Sequence, residues 1–216
     1  MEPSLFSFIW RHSKRQQLIP EDALPNGEER HALAGLAADL FKDAGFEAIG
    51  IDHFSRPNDQ LAQAARAGRL KRNFQGYTDD ICPALIGVGA SSISNFPQGI
   101  VQNAVMTPAY GERIAAGVLA GARGHRHTAE DRLRARAIEM LMCDFQLDMN
   151  ELKRDFGGQA ACLLPSIQLA ETQFSAAVRT TDAGLDIMPE GRALTRLIAA
   201  LFDERVVDGA RYSQAS

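Results

Sequence analysis

Apolar and polar positions alternate along this chain in blocks whose period changes from one block to the next. Residues 4–10, SLFSFIW, form an uncharged apolar and aromatic run that predicts a buried strand. RHSKRQQLIPEDALPNG follows, and its two prolines and glycine predict a loop. Over 27–46, Leu33, Leu36, Leu40 and Phe41 recur at helical spacing, with Gly45 placed to stop the helix. EAIGIDHF, residues 47–54, predicts a strand through Ala48, Ile49 and Ile51, closed by the turn signal SRPND. DQLAQAARAGRL predicts a second helix and leads into LKRNFQGYT, which predicts a ligand-lining loop. Residues 80–94, DICPALIGVGASSIS, predict one more strand, apolar over Ile81–Val88 and ending in a Gly-rich turn. Strand and helix thus alternate, the pattern of parallel α/β construction. Such folds bind ligands beyond the carboxyl ends of their strands.

The pattern changes near residue 109. AYGERIAAGVLAGARG predicts a helix. A second helix follows at 127–145, with Thr128 as its cap, Asp131 three residues on, and an apolar stripe of Leu133, Ala137, Ile138, Leu141 and Met142. In LDMNELKRDFGG, Asp148 caps, Glu151 completes a capping box and Gly157 ends the helix. Residues 176–203 predict a strand, a turn at Asp182-Ala183-Gly184, a second strand and a helix from Pro189. Two helices, a hairpin and a helix make a winged-helix-like module. The predicted organisation is therefore an α/β domain over 1–109 and a smaller helical domain over 110–216.

Bulk composition narrows the function. The 216 residues are 45% apolar, enough for a packed core, and no apolar run approaches the length of a membrane span. The first apolar residues precede the first cations, the reverse of a secretory signal, so a cytoplasmic location is expected. Net charge is −4. Residues 125–216 carry 11 Lys and Arg against 14 Asp and Glu, which argues against a nucleic-acid partner for the winged-helix-like module. Cys82, Cys143 and Cys162 are scattered, without metal-ligand spacing, and suit buried thiols in a reducing compartment.

Several polar groups sit where chemistry is possible. Asp52 and His53 close a predicted strand, either as functional groups or as a turn cap with a satisfied imidazole. Gln75 and Tyr77 flank Gly76, which permits positive φ or close approach of backbone to a ligand. Gly87 and Gly89 offer bare peptide groups able to read an adenine edge or an amino-acid moiety, although one Gly-x-Gly pair also serves a tight strand exit. His125 and His127 lack a third metal ligand in sequence, so a solvated loop is the simpler reading.

GIDHFSRPNDQL, GRLKRNFQGYT, LIGVGASSIS, VQN, EDRLRARAIEMLMCDFQLD and MPEGRALTRLIAALFD together resemble the oxygen-independent coproporphyrinogen III oxidase (dehydrogenase) family of radical S-adenosylmethionine enzymes. The resemblance runs from about Pro20 to the tail. It implies an incomplete (β/α) barrel holding a [4Fe–4S] cluster and two molecules of S-adenosylmethionine, served by an electron donor. It implies an enzyme of haem biosynthesis that converts two propionates of coproporphyrinogen III to vinyl groups. Ile93 matches the family isoleucine at the cluster-bound S-adenosylmethionine, and Gln75 matches a glutamine at the second one. A family alanine contact falls near Phe6–Ser7, where LFSFIW departs from the pattern, and its role is not carried over. Arg56, Lys71 and Arg72 are candidates for pairing with propionates. The family's Cys-x-x-x-Cys-x-x-Cys cluster loop is absent from these 216 residues. The chain therefore reads as the C-terminal part of such an enzyme, inactive alone, with a cluster-bearing N-terminal half as a candidate partner.

Overall fold

The computed structural model describes residues 24–73 and 76–204. The strand expected over 4–10, the Phe6–Ser7 position and Gln75 lie outside them. The described residues divide into two compact units, one running to Asp79 and resuming at Arg134, the other spanning Asp80–Leu133.

The first unit opens with α1 (Gly27–Asp43). Asn26 accepts from the Glu29 N–H and the Glu29 carboxylate accepts from the Asn26 N–H, closing a capping box. Gly45, at φ +81°, turns the chain out of the helix, as its position predicts. EAIGIDHF is not one strand. It folds back as β1 (Glu47–Ile49) and β2 (His53–Ser55), an antiparallel hairpin in which Ile49 faces His53. Gly50 at φ +58° makes the bend. A side chain at 50 would collide with the Tyr77 ring, 2.0 Å from its Cζ. The Asp59 carboxylate caps α2 (Gln60–Arg66), accepting from Leu61 N–H, and α2 buries Leu61, Ala62 and Ala64. The predicted loop LKRNFQGYT is in part a second hairpin, β3 (Lys71–Asn73) against β4 (Gly76–Thr78), with Arg72 opposite Tyr77.

The same unit ends in a small mixed module. α4 (Ala129–Asp144), which belongs to this unit from Arg134 onward, buries Ala137 and Leu141 there, as its stripe predicts. It feeds β8 (Gln146–Asp148), which pairs with β10 (Gly184–Ile187), and β10 pairs with β9 (Val178–Thr181), all antiparallel. The Asp148 carboxylate caps α5 (Met149–Phe156), and Gly157 at φ +60° ends it. Glu151 does not close the expected box, because its carboxylate is taken by Arg136 at 2.8 Å. A 3₁₀ turn and α6 (Leu164–Gln173) lead to β9. After β10, a 3₁₀ turn at Pro189–Leu194 precedes α7 (Thr195–Ala200), so the helix starts later than Pro189 alone predicts. Leu147, Leu152, Leu163, Leu185, Ile198 and Phe202 are fully buried here.

The second unit is a three-stranded antiparallel sheet, β5 (Ile93–Phe96), β6 (Gly99–Asn103) and β7 (Gly121–Arg126), with α3 (Thr107–Ala115) between β6 and β7. Two expectations change. The helix predicted over 109–124 stops at Ala115, and Gly121–Arg126 is strand. Gly121 and Gly124 permit this, because a Cβ would lie 2.9 Å from Val101 Cγ1 and 2.7 Å from Ile100 O. The run Ile81–Val88 is not a buried strand either. Ile81, Ile86 and Val88 are 77%, 72% and 83% exposed, and only Leu85 pairs, with Asn95. Pro83 lacks an N–H for a ladder, and flexible glycines follow it. Every strand pair among the described residues is antiparallel. The α/β content stands, but the parallel ladder expected from alternation is not among them.

Candidate functional site

The first unit gathers the polar residues of its two hairpins around Tyr77. The Tyr77 phenol is buried, donates to Met142 C=O at 2.8 Å and accepts from Ile51 N–H at 3.1 Å. It thereby ties the β4 strand to the bend before Asp52 and to the last turn of α4, whose carbonyls lack helical partners. Burial pushes its pKa up to about 12, against the lowering effect of the Ile51 hydrogen bond. The Arg72 guanidinium lies over the ring, 4.9 Å from its centroid. The His53 ring meets it at 5.1 Å and 85°.

Asp52 and His53 form a couple. His53 Nδ1 lies 2.8 Å from Asp52 Oδ1. A carboxylate only accepts, so Nδ1 carries the proton. The other Asp52 oxygen accepts from Arg196 of α7. Sequence reasoning placed Asp52 and His53 together but missed Arg196. Its partner is 144 positions away, and no local spacing reports such a pair.

The three cations predicted to meet propionates are differently disposed. Lys71 pairs with Glu139 at 3.1 Å, and Arg136 bridges Glu139 and Glu151. Arg56 lies over Phe46 at 5.3 Å. Arg72 Nη1 is buried without a hydrogen-bond partner among the described residues. A cleft of about 490 Å³ is lined by Asn58, Asp59, Leu61, Tyr77 and Thr78 among others, so the GYT segment does border open space.

In the second unit, the Gly-rich turn is closed on itself. Asn103 Nδ2 donates to Gly87 C=O and Gly89 C=O at 3.1 and 3.0 Å. Gly87 N–H donates to Ser94 Oγ and Gly89 N–H to the Tyr110 hydroxyl. The peptide groups read from the sequence as bare are engaged locally. Ile93 differs. Asn95 exchanges both main-chain hydrogen bonds with Leu85, and an antiparallel ladder alternates, so Ile93 N–H and C=O face that same outer edge. Gly87 lies against them, and a Cβ there would come within 2.7 Å of Ile93 O. His125 is held by Asp131 at 2.9 Å, and Asp131 also accepts from Thr128 N–H and Oγ, completing the predicted cap with an Asp.

No group of three or more His, Cys, Asp or Glu able to hold a metal occurs among the described residues. Cys143 is buried, and burial with the Glu139 and Asp144 charges pushes its pKa up to about 12. The Asp80 carboxylate raises that of Cys82. An iron–sulfur cluster takes several thiolates gathered at one place, and Cys82, Cys143 and Cys162 belong to no such group among the described residues, so they do not fit one. No described helix is long and apolar enough to cross a membrane.

This fold is similar to that of a radical SAM enzyme. The solved structure is the coproporphyrinogen III oxidase of Escherichia coli, matched with a TM-score of 0.81 and 30% identity over 88% of this chain and 44% of that one. At the level of sequence, the chain is 56% identical over 205 residues to the oxygen-independent coproporphyrinogen III oxidase of Cereibacter sphaeroides, covering 94% of this chain and 45% of that protein. Its counterpart in Bradyrhizobium diazoefficiens is 41% identical over 215 residues, 97% of this chain and 48% of its own length. No family model matches the chain. The chain is homologous to these oxidases across most of its own length, and it spans less than half of theirs.

Proposed function

We propose that this chain is the porphyrinogen- and S-adenosylmethionine-facing part of an oxygen-independent coproporphyrinogen III oxidase. The observation that carries the reading is the 56% identity sustained over 94% of the chain. The reaction is the oxidative decarboxylation of two propionates of coproporphyrinogen III to the vinyl groups of protoporphyrinogen IX. The cluster and its electron donor act from outside these residues, because the thiols here do not suit cluster ligation.

The residues from Leu24 to about 109 are assigned to the C-terminal part of an incomplete (β/α) barrel and those beyond to a winged-helix-like domain. Ile93 meets the adenine of one S-adenosylmethionine, supported by its motif and by its apolar side chain on the edge strand β5. Gln75 is assigned, on its motif, to hydrogen-bond the second. S-adenosylmethionine supplies the radical that starts the chemistry, and the chain's own part is to hold and orient it. A cytoplasmic location follows from this reading.

A chimera tests it. The unmatched half of the Cereibacter sphaeroides oxidase is fused to this chain and assayed anaerobically with coproporphyrinogen III, S-adenosylmethionine and a reductant. Protoporphyrinogen is the expected product, with Ile93→Asp and Gln75→Ala each lowering turnover. A folded, cluster-loaded chimera that binds coproporphyrinogen and forms no product overturns the reading.

A further inference from the structure

His53 is held by Asp52 and by the Tyr77 ring, and its side chain is 16% exposed. Asp52 fixes Nδ1 at 2.8 Å, Arg196 fixes Asp52, and the Tyr77 ring abuts the imidazole. Nε2 has no hydrogen-bond partner among the described residues. The residue opposite it is Gly76, at φ +141°, where a Cβ would lie 2.9 Å from Nε2. Any other residue there would cover the nitrogen. Arg196 Nε is buried without an acceptor, so this corner holds more donors than its own acceptors satisfy.

We propose that His53 Nε2 docks a carboxylate of the porphyrinogen, with Asp52 and Arg196 as positioning residues that hold the ring. The proposal rests on the functional reading above, which supplies a ligand whose charged groups are all carboxylates. Lys71 is already paired with Glu139, whereas Arg72, over the Tyr77 ring, keeps Nη1 without a partner among the described residues and adds positive charge behind the imidazole. A carboxylate brings acceptors only, and neutral Nε2 is itself an acceptor. Docking therefore takes up one proton at Nε2, placing an imidazolium between Asp52 and the incoming carboxylate. The charged or titratable groups facing the ring are Asp52 from its own turn, Arg196 from α7 and Tyr77 from β4, with Arg72 from β3 behind Tyr77. Tyr77, at about 12, stays neutral throughout the range used below.

The test titrates the purified 216-residue chain with coproporphyrin III, the stable porphyrin bearing the same four propionates, and with its tetramethyl ester, between pH 5.5 and 8. Porphyrin fluorescence gives the affinity. The wild-type chain is expected to bind the free acid more weakly as pH rises, and the ester about tenfold more weakly than the acid at pH 5.5. His53→Gln is expected to bind the acid about tenfold more weakly at pH 5.5 and without pH dependence. His53→Phe keeps a ring against Tyr77 and removes both nitrogens. It is expected to show the same loss, and whichever variant has the wild-type thermal midpoint is read. Equal binding of acid and ester, or wild-type affinity and pH dependence in the folded variant, overturns the inference alone. No porphyrin binding by the wild-type chain overturns it together with the functional reading.

Discussion

Tyr77 joins two main-chain groups far apart in sequence, Ile51 N–H and Met142 C=O, through a single oxygen. Tyr77→Phe leaves both without that partner, and the expected loss is about 1–3 kcal/mol in a urea titration. The raised pKa makes a second prediction. The folded state prefers the neutral phenol, so this contribution is complete below the ordinary pKa near 10 and is lost as pH climbs toward 12. Cys143 acts in the same direction from 9 toward 12, since its thiol too is held neutral by burial. Stability should therefore fall between pH 9 and 12, by on the order of 2–3 kcal/mol for Tyr77 alone, and Tyr77→Phe should flatten that limb. Unfolding midpoints that stay level in wild type across pH 9–11 would contradict this. The sequence did point to Tyr77, because a phenol beside a glycine at the edge of an apolar run is unusual. It did not reveal that the hydroxyl faces inward, since partners 26 and 65 positions away leave no local trace.

At the scale of elements, some caps and stops were legible and strand pairing was not. Asp148 and the Thr128–Asp131 pair cap helices as their sequence positions predict, whereas the caps at Asn26 and Asp59 emerge only in the structure. Asp131→Ala removes an acceptor shared by Thr128 and His125 and should cost about 1 kcal/mol. Thermal melting of the chain measures it. Gly184 sits at φ +147° with Leu147 O only 2.0 Å from an added Cβ, so Gly184→Ala should destabilise the β8–β10 pairing by at least about 1–3 kcal/mol. Wild-type stability in that variant would mean the strands do not approach so closely. EAIGIDHF and AYGERIAAGVLAGARG were misread for one reason. A glycine inside an apolar run is compatible with continuation, with a bend and with close strand packing, and only the opposite strand decides among them. Glu151 shows the same limit for side chains. Its spacing satisfies a capping box, but Arg136 offers a charged partner instead.

At the scale of the whole molecule, the homology reaches along nearly all of this chain while accounting for less than half of each relative. Among the described residues, no group of three or more His, Cys, Asp or Glu is placed to hold a metal. The absence of the cluster motif could be read directly, because cluster ligation demands a compact spacing that sequence displays. The Asp52–His53–Arg196 corner could not, because tertiary folding assembles it. Under the proposed function, the chain supplies binding walls and draws its electrons from iron held elsewhere. Anaerobic reconstitution of the purified chain with iron and sulfide, followed by iron and sulfide analysis per polypeptide, tests this most directly. The expected result is no stoichiometric cluster and no cubane absorption. Four irons and four sulfides bound per chain, with a [4Fe–4S] spectrum, would contradict it.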